Sequence, residues 1–457
     1  MKLRLINIKN ICSGLAFLTM ASGLASCEKF IDINTPPNAI GSDKAYVDSA
    51  TATSVVLGIY SGLASGSASI LFSSIKYGAM SADEGYYVST TSFDNFKNNT
   101  LAAGNSLVEM YGSFYTRIGR TNYAIEGLTA SAALTPGLRD QLLGEAKFLR
   151  AWLYFQMVNF FGKVPLVTNT SALENSQLPR AEVADVYKQI IKDLTEAKQL
   201  LRTTYPSAER ARVNRYVASA LLAKVYLYQS GWAAAEAEAT EVIGSGNYSL
   251  VTNLNQVFLN KSNETIWQIS LLGLSNQAAI QAADFVPVST PTFVLYDTLA
   301  NTFEANDQRK IAWTQSITWQ GKVYFYPFKY KVRQTTAGTE YPIVFRLAEM
   351  YLIRAEARAN QSKTEDGVKD LNEVRGRAQI SLLPLNTGKD ALLAAVEHER
   401  WVELFTESDR WWDLKRLNKA NAVLGLIKPQ WKPFQQLYPI PQQERTANPN
   451  LNDNPEY

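Results

Sequence analysis

The stretch VNRYVASALLAKVYLYQSGWAAAEAEATEVI, residues 213–243, decides the fold class of this 457-residue chain. It holds two apolar runs of helix length that meet at Ser230-Gly231, and so predicts two antiparallel helices joined by a short turn. Small alanines let two helices approach closely, while larger residues fill the next groove. The residues that follow this pattern lie close to the spacing of a tetratricopeptide repeat: Leu222, Tyr226, Gly231, Ala235, Ala239 and Val242. The match is loose and by itself indicates only a helical hairpin.

Helical periodicity extends from this hairpin in both directions. Upstream, apolar residues recur at helical spacing from Glu145 to Phe161, and Gly162 ends the run. Downstream, the same pattern covers Arg346 to about Gln361, Leu371–Ala378, Ala391–Phe405 and Arg410–Leu417. Paired helices with alanine-rich contacts predict a mainly α fold on a tetratricopeptide-repeat-like helical scaffold.

The helical residue pattern gives way to a different pattern between about residues 249 and 341. Strand-like pieces alternate there with polar loops that carry Gly and Asn: Thr265–Leu271, Ile317–Trp319 and Lys322–Tyr330. We interpret this region as a loop- and strand-containing insertion into the helical scaffold. The stretch Ser81–Asn99 is similar, because acidic and amide residues are interleaved there with aromatic ones. Long loops on rigid helices are where binding residues usually lie.

The N-terminus has the features of a secretory signal. Lys2, Arg4 and Lys9 precede an apolar run from Ile11 to about Met20, which is too short for a membrane-spanning helix. This segment therefore predicts export of the chain.

The signal ends in LASC at residues 24–27, which resembles the lipobox of bacterial lipoproteins, where the cysteine carries acyl chains after cleavage. Because Cys12 lies inside the signal, Cys27 is the sole cysteine of the predicted mature chain, and lipidation gives that lone thiol a role. An ordinary signal peptide with a chance cysteine is the alternative. The predicted organisation is a signal peptide, a lipidated flexible tether and a body, over residues 1–26, 27–42 and 43–457.

Charge and composition limit the classes of partner. The chain carries 45 basic and 42 acidic residues, and without the three basic residues before Cys27 the mature chain balances at 42 against 42. The basic field that nucleic acid binding requires is missing, so we expect no nucleic acid partner. A neutral body suits uncharged ligands without demanding them. An aromatic content of 11% leaves rings available for binding.

Motifs for catalysis, cofactors and metals are absent from the sequence. The single histidine, His398, has no Gly-x-Ser-x-Gly partner, and no His-Glu-x-x-His, Cys-x-x-Cys, P-loop or Gly-x-Gly-x-x-Gly motif occurs. We therefore expect no enzyme activity, no cofactor and no metal site. A glycosidase needs only two carboxylates on opposite sides of a bond, so a helical glycoside hydrolase stays open as an alternative.

Four blocks in order along nearly the whole chain resemble the SusD/RagB family. The first is the lipobox, and the other three are GEAKFLRAWLYFQMVNFFGKVPLV (Gly144–Val167), RLAEMYLIRAEARA with LNEVRGRA (Arg346–Ala378), and ERWVELFTESDRWWDLKR with LYPIPQQERTANPNLNDNPEY (Glu399–Tyr457). They are similar to the family's E-A-x-F-L-R-A and F-G-x-V-P-L steps, its central helices, and its Y-P-I-P and N-P-N-L-x-x-N-P-x-Y ending. Ser408 stands where the family often has Gly, which concerns only a turn. Within these blocks we expect ion pairs between helices from Arg150, Arg354, Glu356 and Arg410.

The resemblance implies a function and a location. Members of this family lie on the outer face of the outer membrane, held by their lipid, and cap a SusC-type TonB-dependent transporter. They hold an oligosaccharide in a shallow aromatic-lined site, although some members bind peptides instead. Oligopeptide binding is therefore an alternative to glycan binding, and a repeat-type scaffold that binds only proteins is a third interpretation.

The resemblance also implies where a ligand binds, but by region only. In the family the site is built from the loop after the first long helix and from the middle insertion. The candidate ligand-binding residues here are Asp83, Glu84, Tyr86, Tyr87, Phe93, Asn95, Tyr296, Arg309, Trp313, Trp319 and Tyr324. Flat aromatic rings suit the apolar CH faces of sugars, and amide, carboxylate and Arg groups suit their hydroxyls. Trp313 and Trp319 lie six residues apart, so on one extended strand both indoles would point to the same face. Packing within the insertion is an equally good reading of this pair.

Overall fold

The computed structural model of the protein describes residues 44–64, 69–88, 90–105, 108 and 110–457. The predicted signal peptide, the predicted lipidation site Cys27 and the predicted tether lie outside these residues. Within the described residues, no helix is both long enough and apolar enough to cross a membrane.

Helices make up most of the regular structure. In chain order the described α-helices are α1 (Ser49–Ala64), α2 (Ile70–Ser81), α3 (Asp94–Lys97), α4 (Met110–Ala130), α5 (Pro136–Phe161), α6 (Ala172–Asn175), α7 (Val183–Leu200), α8 (Arg215–Tyr228), α9 (Trp232–Gly244), α10 (Ile280–Phe285), α11 (Asp297–Ala300), α12 (Gln308–Trp313), α13 (Leu347–Asn360), α14 (Thr364–Arg377), α15 (Lys389–Leu404), α16 (Arg410–Arg416), α17 (Ala420–Ile427) and α18 (Gln442–Ala447). Short 3-10 turns occur at Leu254–Gln256 and Pro433–Gln436.

The strands are few and short. They are β1 (Gly85–Tyr87), β2 (Thr265–Gln268), β3 (Phe293–Leu295), β4 (Thr314–Trp319), β5 (Lys322–Pro327) and β6 (Ile343–Arg346). Among the described residues they form three antiparallel two-stranded sheets, in which β1 pairs with β3, β2 with β6 and β4 with β5. Each of the three predicted strand pieces overlaps one of these strands.

The hairpin predicted over residues 213–243 is formed by α8 and α9. Asn214 begins α8 by accepting a hydrogen bond from the Val217 N–H at 3.0 Å, which satisfies a donor that the first helical turn leaves free. The turn between the helices places Ser230 at a positive φ of 55°. Ala235 and Ala239 of α9 are fully buried, and α9 packs closely against α8. The alanine pattern predicted this close approach of the two helices.

The scaffold extends this hairpin into a series of neighbouring helices. Packing passes from α4 to α5, α7, α8 and α9, and then directly to α13, although residues 245–346 separate α9 from α13 in the chain. Gly367 of α14 lies so close to α13 that a Cβ atom there would sit 2.9 Å from the carbonyl oxygen of Ala355. The predicted mainly α fold, with a repeat-like helical scaffold and an inserted loop- and strand-containing region, is confirmed.

Ion pairs between helices hold the scaffold in register. The Arg150 guanidinium of α5 contacts Asp193 of α7 at 2.7 Å, and Arg354 of α13 contacts Asp370 of α14 at the same distance. The predicted ion pairing of Arg150 and Arg354 is therefore confirmed. Glu356 is confirmed in the same role by its ion pair with Arg416 of α16 at 2.8 Å. Arg410 of α16 also forms an ion pair, at 2.8 Å, but its partner Asp83 lies in the turn after α2 and not in a helix.

Candidate functional site

Two tyrosines are brought side by side by the small sheet of β1 and β3. Tyr86 is paired with Val294 in this sheet, and the N–H of Tyr296, which follows β3, donates to the carbonyl oxygen of Glu84 at 3.1 Å. The Tyr86 and Tyr296 rings lie 4.9 Å apart between centroids, at an interplanar angle of 46°. Both side chains are partly exposed, so the pair forms an aromatic surface outside the core.

The hairpin of β4 and β5 supplies two more rings. Its two-residue turn places Gln320 at φ 50° and Gly321 at φ 77°, the combination that a tight hairpin turn needs. Residues directly opposite one another in an antiparallel sheet share a face, and Trp319 is opposite Lys322. Because residues two apart also share a face, Trp319 and Tyr324 project from the same side of the hairpin.

The tip of the hairpin lies next to the tyrosine pair, since β5 packs beside β3. Burial raises the pKa of Tyr86, and the charges that act on it come from Lys322, which lowers the pKa, and from Asp297 and Tyr324, which raise it. The Lys97 ammonium at the end of α3 lies 4.3 Å from the centroid of the Tyr86 ring. We define the aromatic surface as the four partly exposed rings and these three charged residues: Tyr86, Tyr296, Trp319, Tyr324, Lys97, Asp297 and Lys322.

The polar ends of these rings are free for a ligand. Within the part of the chain that the structure describes, no hydrogen bond is made by the three tyrosine hydroxyls or by the Trp319 indole N–H. Buried Tyr and Trp side chains normally find such partners. Flat apolar faces with unpaired donors and acceptors at their rim suit a ligand that also combines apolar faces with hydroxyl groups.

Asp83 and Glu84, two acidic candidates, lie beneath the surface, which corrects the prediction that they contact a ligand. Asp83 accepts two hydrogen bonds of 2.8 Å from the Arg410 guanidinium. Glu84 accepts one from the Thr406 N–H at 3.2 Å, and burial raises its pKa to about 8. Both side chains are buried, so a ligand on the outside does not reach them.

Arg309 is corrected in the same way. Its side chain is fully buried and hydrogen bonds to Asp307 at 2.7 Å, to Glu403 at 2.9 Å and to Glu399. It belongs to a group of buried charges that joins α12, β6, α14 and α15. We call this group the buried ion network: Glu264, Asp307, Arg309, Arg346, Arg377, Glu399 and Glu403.

The expectation for Trp313 was also wrong. Trp313 is the last residue of α12 and precedes β4, so it does not share an extended strand with Trp319. Its ring is fully buried against Phe258, and its indole N–H donates to the carbonyl oxygen of Leu254 at 3.0 Å. Trp313 therefore closes the base of the insertion, and only Trp319 of the two is available to a ligand.

The remaining candidates lie beside the aromatic surface. Tyr87 is buried, donates a hydrogen bond to Asp284, and packs against Phe93 with ring centroids 4.8 Å apart. Phe93 is partly exposed and lies 4.5 Å from the Lys76 ammonium. Asn95 is exposed on α3, two residues before Lys97. The side chains of Phe93 and Asn95 therefore stay candidates at the edge of the surface.

Sequence reasoning missed the three charged residues of the aromatic surface. Lys97 lies in the aromatic stretch Ser81–Asn99, and Lys322 follows the Gln-Gly turn of the predicted strand pair, so both were within the regions chosen. The predicted contacts in these regions were aromatic, acidic and amide residues and Arg309, and they included neither the two lysines nor Asp297. A lysine beside an aromatic residue at a hairpin turn was the available signal.

Other features of the described residues lie elsewhere. A cavity of 660 Å³ is lined by parts of α5, α8, α16 and the C-terminal segment, and it contains none of the candidate residues. Within the described residues, no group of three or more His, Cys, Asp and Glu side chains is arranged to hold a metal ion.

Comparison with solved structures establishes the class of fold. A SusD superfamily protein of Bacteroides vulgatus superposes with a TM-score of 0.81 at 19% identity, covering 90% of this chain and 100% of that one. A structure described as a laminarin-binding SusD-like protein gives a TM-score of 0.76 at 23% identity, covering 89% of this chain and 99% of that one. At these identities the likeness concerns the fold alone.

Sequence comparison establishes the family. A model described as starch-binding and associating with the outer membrane matches residues 36–227, and the SusD family model matches residues 295–457. A SusD-like protein of Formosa agariphila is 24% identical over 98% of both chains. The chain belongs to the SusD/RagB family, which confirms the resemblance drawn from the sequence blocks.

Proposed function

We propose that this protein binds a glycan on the aromatic surface and delivers it to a SusC-type TonB-dependent transporter, without catalysing a reaction. One observation carries the glycan-binding part: the Tyr86 and Tyr296 rings are in contact, the hairpin face that carries Trp319 and Tyr324 adjoins them, and the polar ends of all four rings are unpaired among the described residues. Sugar rings offer CH faces to such side chains and hydroxyls to their donors and acceptors. Membership of a family described as starch-binding and the fold shared with a laminarin-binding protein support the same proposal.

The positions of the acidic side chains favour binding over hydrolysis. A glycosidase needs two carboxyl groups facing each other across the ligand, about 5–10 Å apart. Asp297 is the single carboxylate among the seven residues of the aromatic surface, and the neighbouring acids Asp83 and Glu84 are buried. Asp83 is also committed to Arg410. The seven residues of the aromatic surface therefore contain no pair of carboxylates.

Retention and turnover measured together test the proposal. Purified protein is run through gels containing each member of a polysaccharide panel, and the same mixtures are assayed for new reducing ends. We expect retarded migration in at least one polysaccharide and no new reducing ends. Turnover would identify a hydrolase, whereas retention of oligopeptides in place of all glycans would favour the peptide-binding alternative. A protein that binds neither would fit a scaffold role.

The lipid anchor is part of the proposal and has its own test. We propose that Cys27 carries acyl chains that hold the protein at the outer membrane, facing the cell exterior, because two or three acyl chains give stable attachment. Cys27→Ser should leave the melting temperature unchanged and move the protein from the outer-membrane fraction to the soluble one. Surface protease treatment of intact cells tests the orientation. Unchanged fractionation of the variant would contradict lipid anchoring.

The transporter partnership is tested by purification from the native membrane. We expect the tagged, detergent-solubilised protein to retain a TonB-dependent transporter through gel filtration. Recovery of the protein alone under mild detergent and after cross-linking would contradict the partnership, while glycan retention would be unaffected.

A further inference from the structure

Two lysines of the aromatic surface are without the carboxylate partners that most of the interior cations have. Lys97 lies 4.3 Å from the Tyr86 ring centroid, and Lys322 lies 4.8 Å from that of Tyr324. Within the described residues neither ammonium forms an ion pair. By contrast, buried Lys224 contacts Glu349 at 2.8 Å and Asp409 at 2.7 Å.

Two carboxylates lie near these lysines, and neither forms an ion pair with them among the described residues. Asp297 is exposed and acts on Tyr86, but Lys322 has the larger electrostatic effect on that ring. Asp94 lies one turn before Lys97 on α3 and forms no ion pair with it among the described residues. Lys97 and Lys322 therefore place two positive charges, without ion-pair partners among the described residues, over the rings of the aromatic surface.

The rings hold the two ammonium groups where a ligand would arrive. A cation over an aromatic face is attracted by the ring, and at exposed sites this attraction is weak enough for an anion to compete. A carboxylate or sulfate on a sugar that contacts Tyr86 or Tyr324 could accept charge-assisted hydrogen bonds from Lys97 or Lys322, which are stronger than those to a hydroxyl. A neutral sugar can accept hydrogen bonds from the same lysines through its hydroxyls, but it lacks the attraction between opposite charges that an acidic sugar adds.

We propose that the aromatic surface selects acidic oligosaccharides. Lys97 and Lys322 bind carboxylate or sulfate groups of a sugar chain whose rings contact the tyrosine and tryptophan side chains. This inference rests on the proposed glycan-binding function and adds the chemical class of the glycan. Anionic groups on successive sugars suit a surface with two separate cations. One lysine comes from α3 and the other from the hairpin turn.

Acidic oligosaccharides and their neutral derivatives, compared in pairs, isolate the effect of ligand charge on affinity. Titration calorimetry on the full protein compares oligogalacturonate with its methyl-esterified form, and sulfated galactan oligosaccharides with their desulfated form, each at low and moderate salt. We expect at least tenfold tighter binding of one acidic form than of its neutral partner, and an affinity that falls as salt screens the lysines. Which pair shows the preference distinguishes carboxylate from sulfate recognition.

Three variants assign the effect to the two lysines. Lys97→Gln and Lys322→Gln should each weaken binding of the acidic form about threefold to tenfold more than binding of its neutral partner. Lys310→Gln is the matched control, because Lys310 lies 5.6 Å from the ring of Phe325, which projects from the other face of β5. Melting temperatures of all three should equal that of the parent protein.

The outcomes separate this inference from the proposed function. Equal or tighter binding of the neutral forms would overturn the acidic selectivity while leaving glycan binding intact. An acidic preference that Lys97→Gln and Lys322→Gln leave unchanged, or that Lys310→Gln reduces as much, would overturn the role of these lysines. Failure of the parent protein to bind any glycan would overturn both.

Discussion

The buried ion network and the aromatic surface both carry charged side chains, but these side chains have partners in the network and none among the described residues on the surface. In the network, Glu403 accepts hydrogen bonds from Arg309, Arg346 and Arg377, and all four side chains are buried. On the aromatic surface, the lysines and ring hydroxyls make no hydrogen bond or ion pair among the described residues. The difference teaches that a charged side chain of the framework is distinguished from one of the proposed binding site by whether it has a partner.

A substitution has a different free-energy cost in each of these two regions. Removing one member of a buried ion pair leaves an uncompensated charge in the interior, which is strongly destabilising. Removing a side chain without partners from the surface costs little stability, but it costs binding if a ligand uses it. Substitutions in the two regions should therefore divide cleanly between stability and affinity.

The largest effect is expected for the tryptophan pair. Trp313→Ala should lower the free energy of unfolding by about 3–5 kcal/mol, because it removes a buried ring and leaves a cavity. Trp319→Ala should change stability by less than about 0.5 kcal/mol and weaken glycan binding by about 1–3 kcal/mol. Chemical denaturation and affinity gels on both variants measure this contrast. If Trp319→Ala loses as much unfolding free energy as Trp313→Ala, and its glycan affinity per folded molecule is unchanged, Trp319 belongs to the core.

The ion network should respond almost as strongly. Burial opposes the charge of Glu403, but Arg377, Arg346 and Arg309 outweigh it and hold its pKa well below the ordinary value. Glu403→Gln keeps the side-chain size and removes the charge, so we expect a loss of about 3–5 kcal/mol in unfolding free energy. Glycan affinity per folded molecule should stay the same. Asp297→Asn is the matched control, because this exposed carboxylate forms no ion pair among the described residues, and it should leave stability unchanged.

These two contrasts also show how far the sequence alone could reach. The helical scaffold was predictable because helical periodicity and alanine spacing are local, as α8 and α9 demonstrate. The burial of Asp83 was not, because its partner Arg410 lies 327 residues away along the chain. Trp313 and Trp319 lie in one short stretch of sequence, but Trp313 ends α12 and is buried against Phe258, whereas Trp319 lies at the turn of the hairpin.

Stability should depend on pH through Glu84, a buried acid beside the aromatic surface. Burial raises its pKa to about 8 from an ordinary value of 4.5, although the Thr406 N–H opposes the shift. The folded state therefore binds the proton more tightly than the unfolded state between these values, and stability falls as pH rises through that window. Glu84→Gln has no proton to lose.

A pH series of unfolding experiments measures this effect. Relative to the parent, Glu84→Gln should gain about 2–4 kcal/mol of stability between pH 5 and pH 8, since each unit of pKa shift corresponds to about 1.4 kcal/mol. A constant difference between Glu84→Gln and the parent over this range would contradict the raised pKa.

The smallest effect is expected from removing single hydroxyl groups, and it compares the two regions most directly. Tyr330 is buried, and its hydroxyl accepts a hydrogen bond from the Ile343 N–H at 2.8 Å, whereas the Tyr324 hydroxyl has no partner among the described residues. Tyr330→Phe leaves a buried N–H unsatisfied, so it should cost about 1–3 kcal/mol of stability and leave glycan affinity unchanged. Tyr324→Phe should leave stability unchanged and weaken glycan binding by about 0.5–1.5 kcal/mol, the usual net value of one hydrogen bond. Thermal unfolding measures the stability of both variants, and titration calorimetry measures their glycan affinity. Loss of stability without loss of affinity in Tyr324→Phe would show that this hydroxyl belongs to the framework.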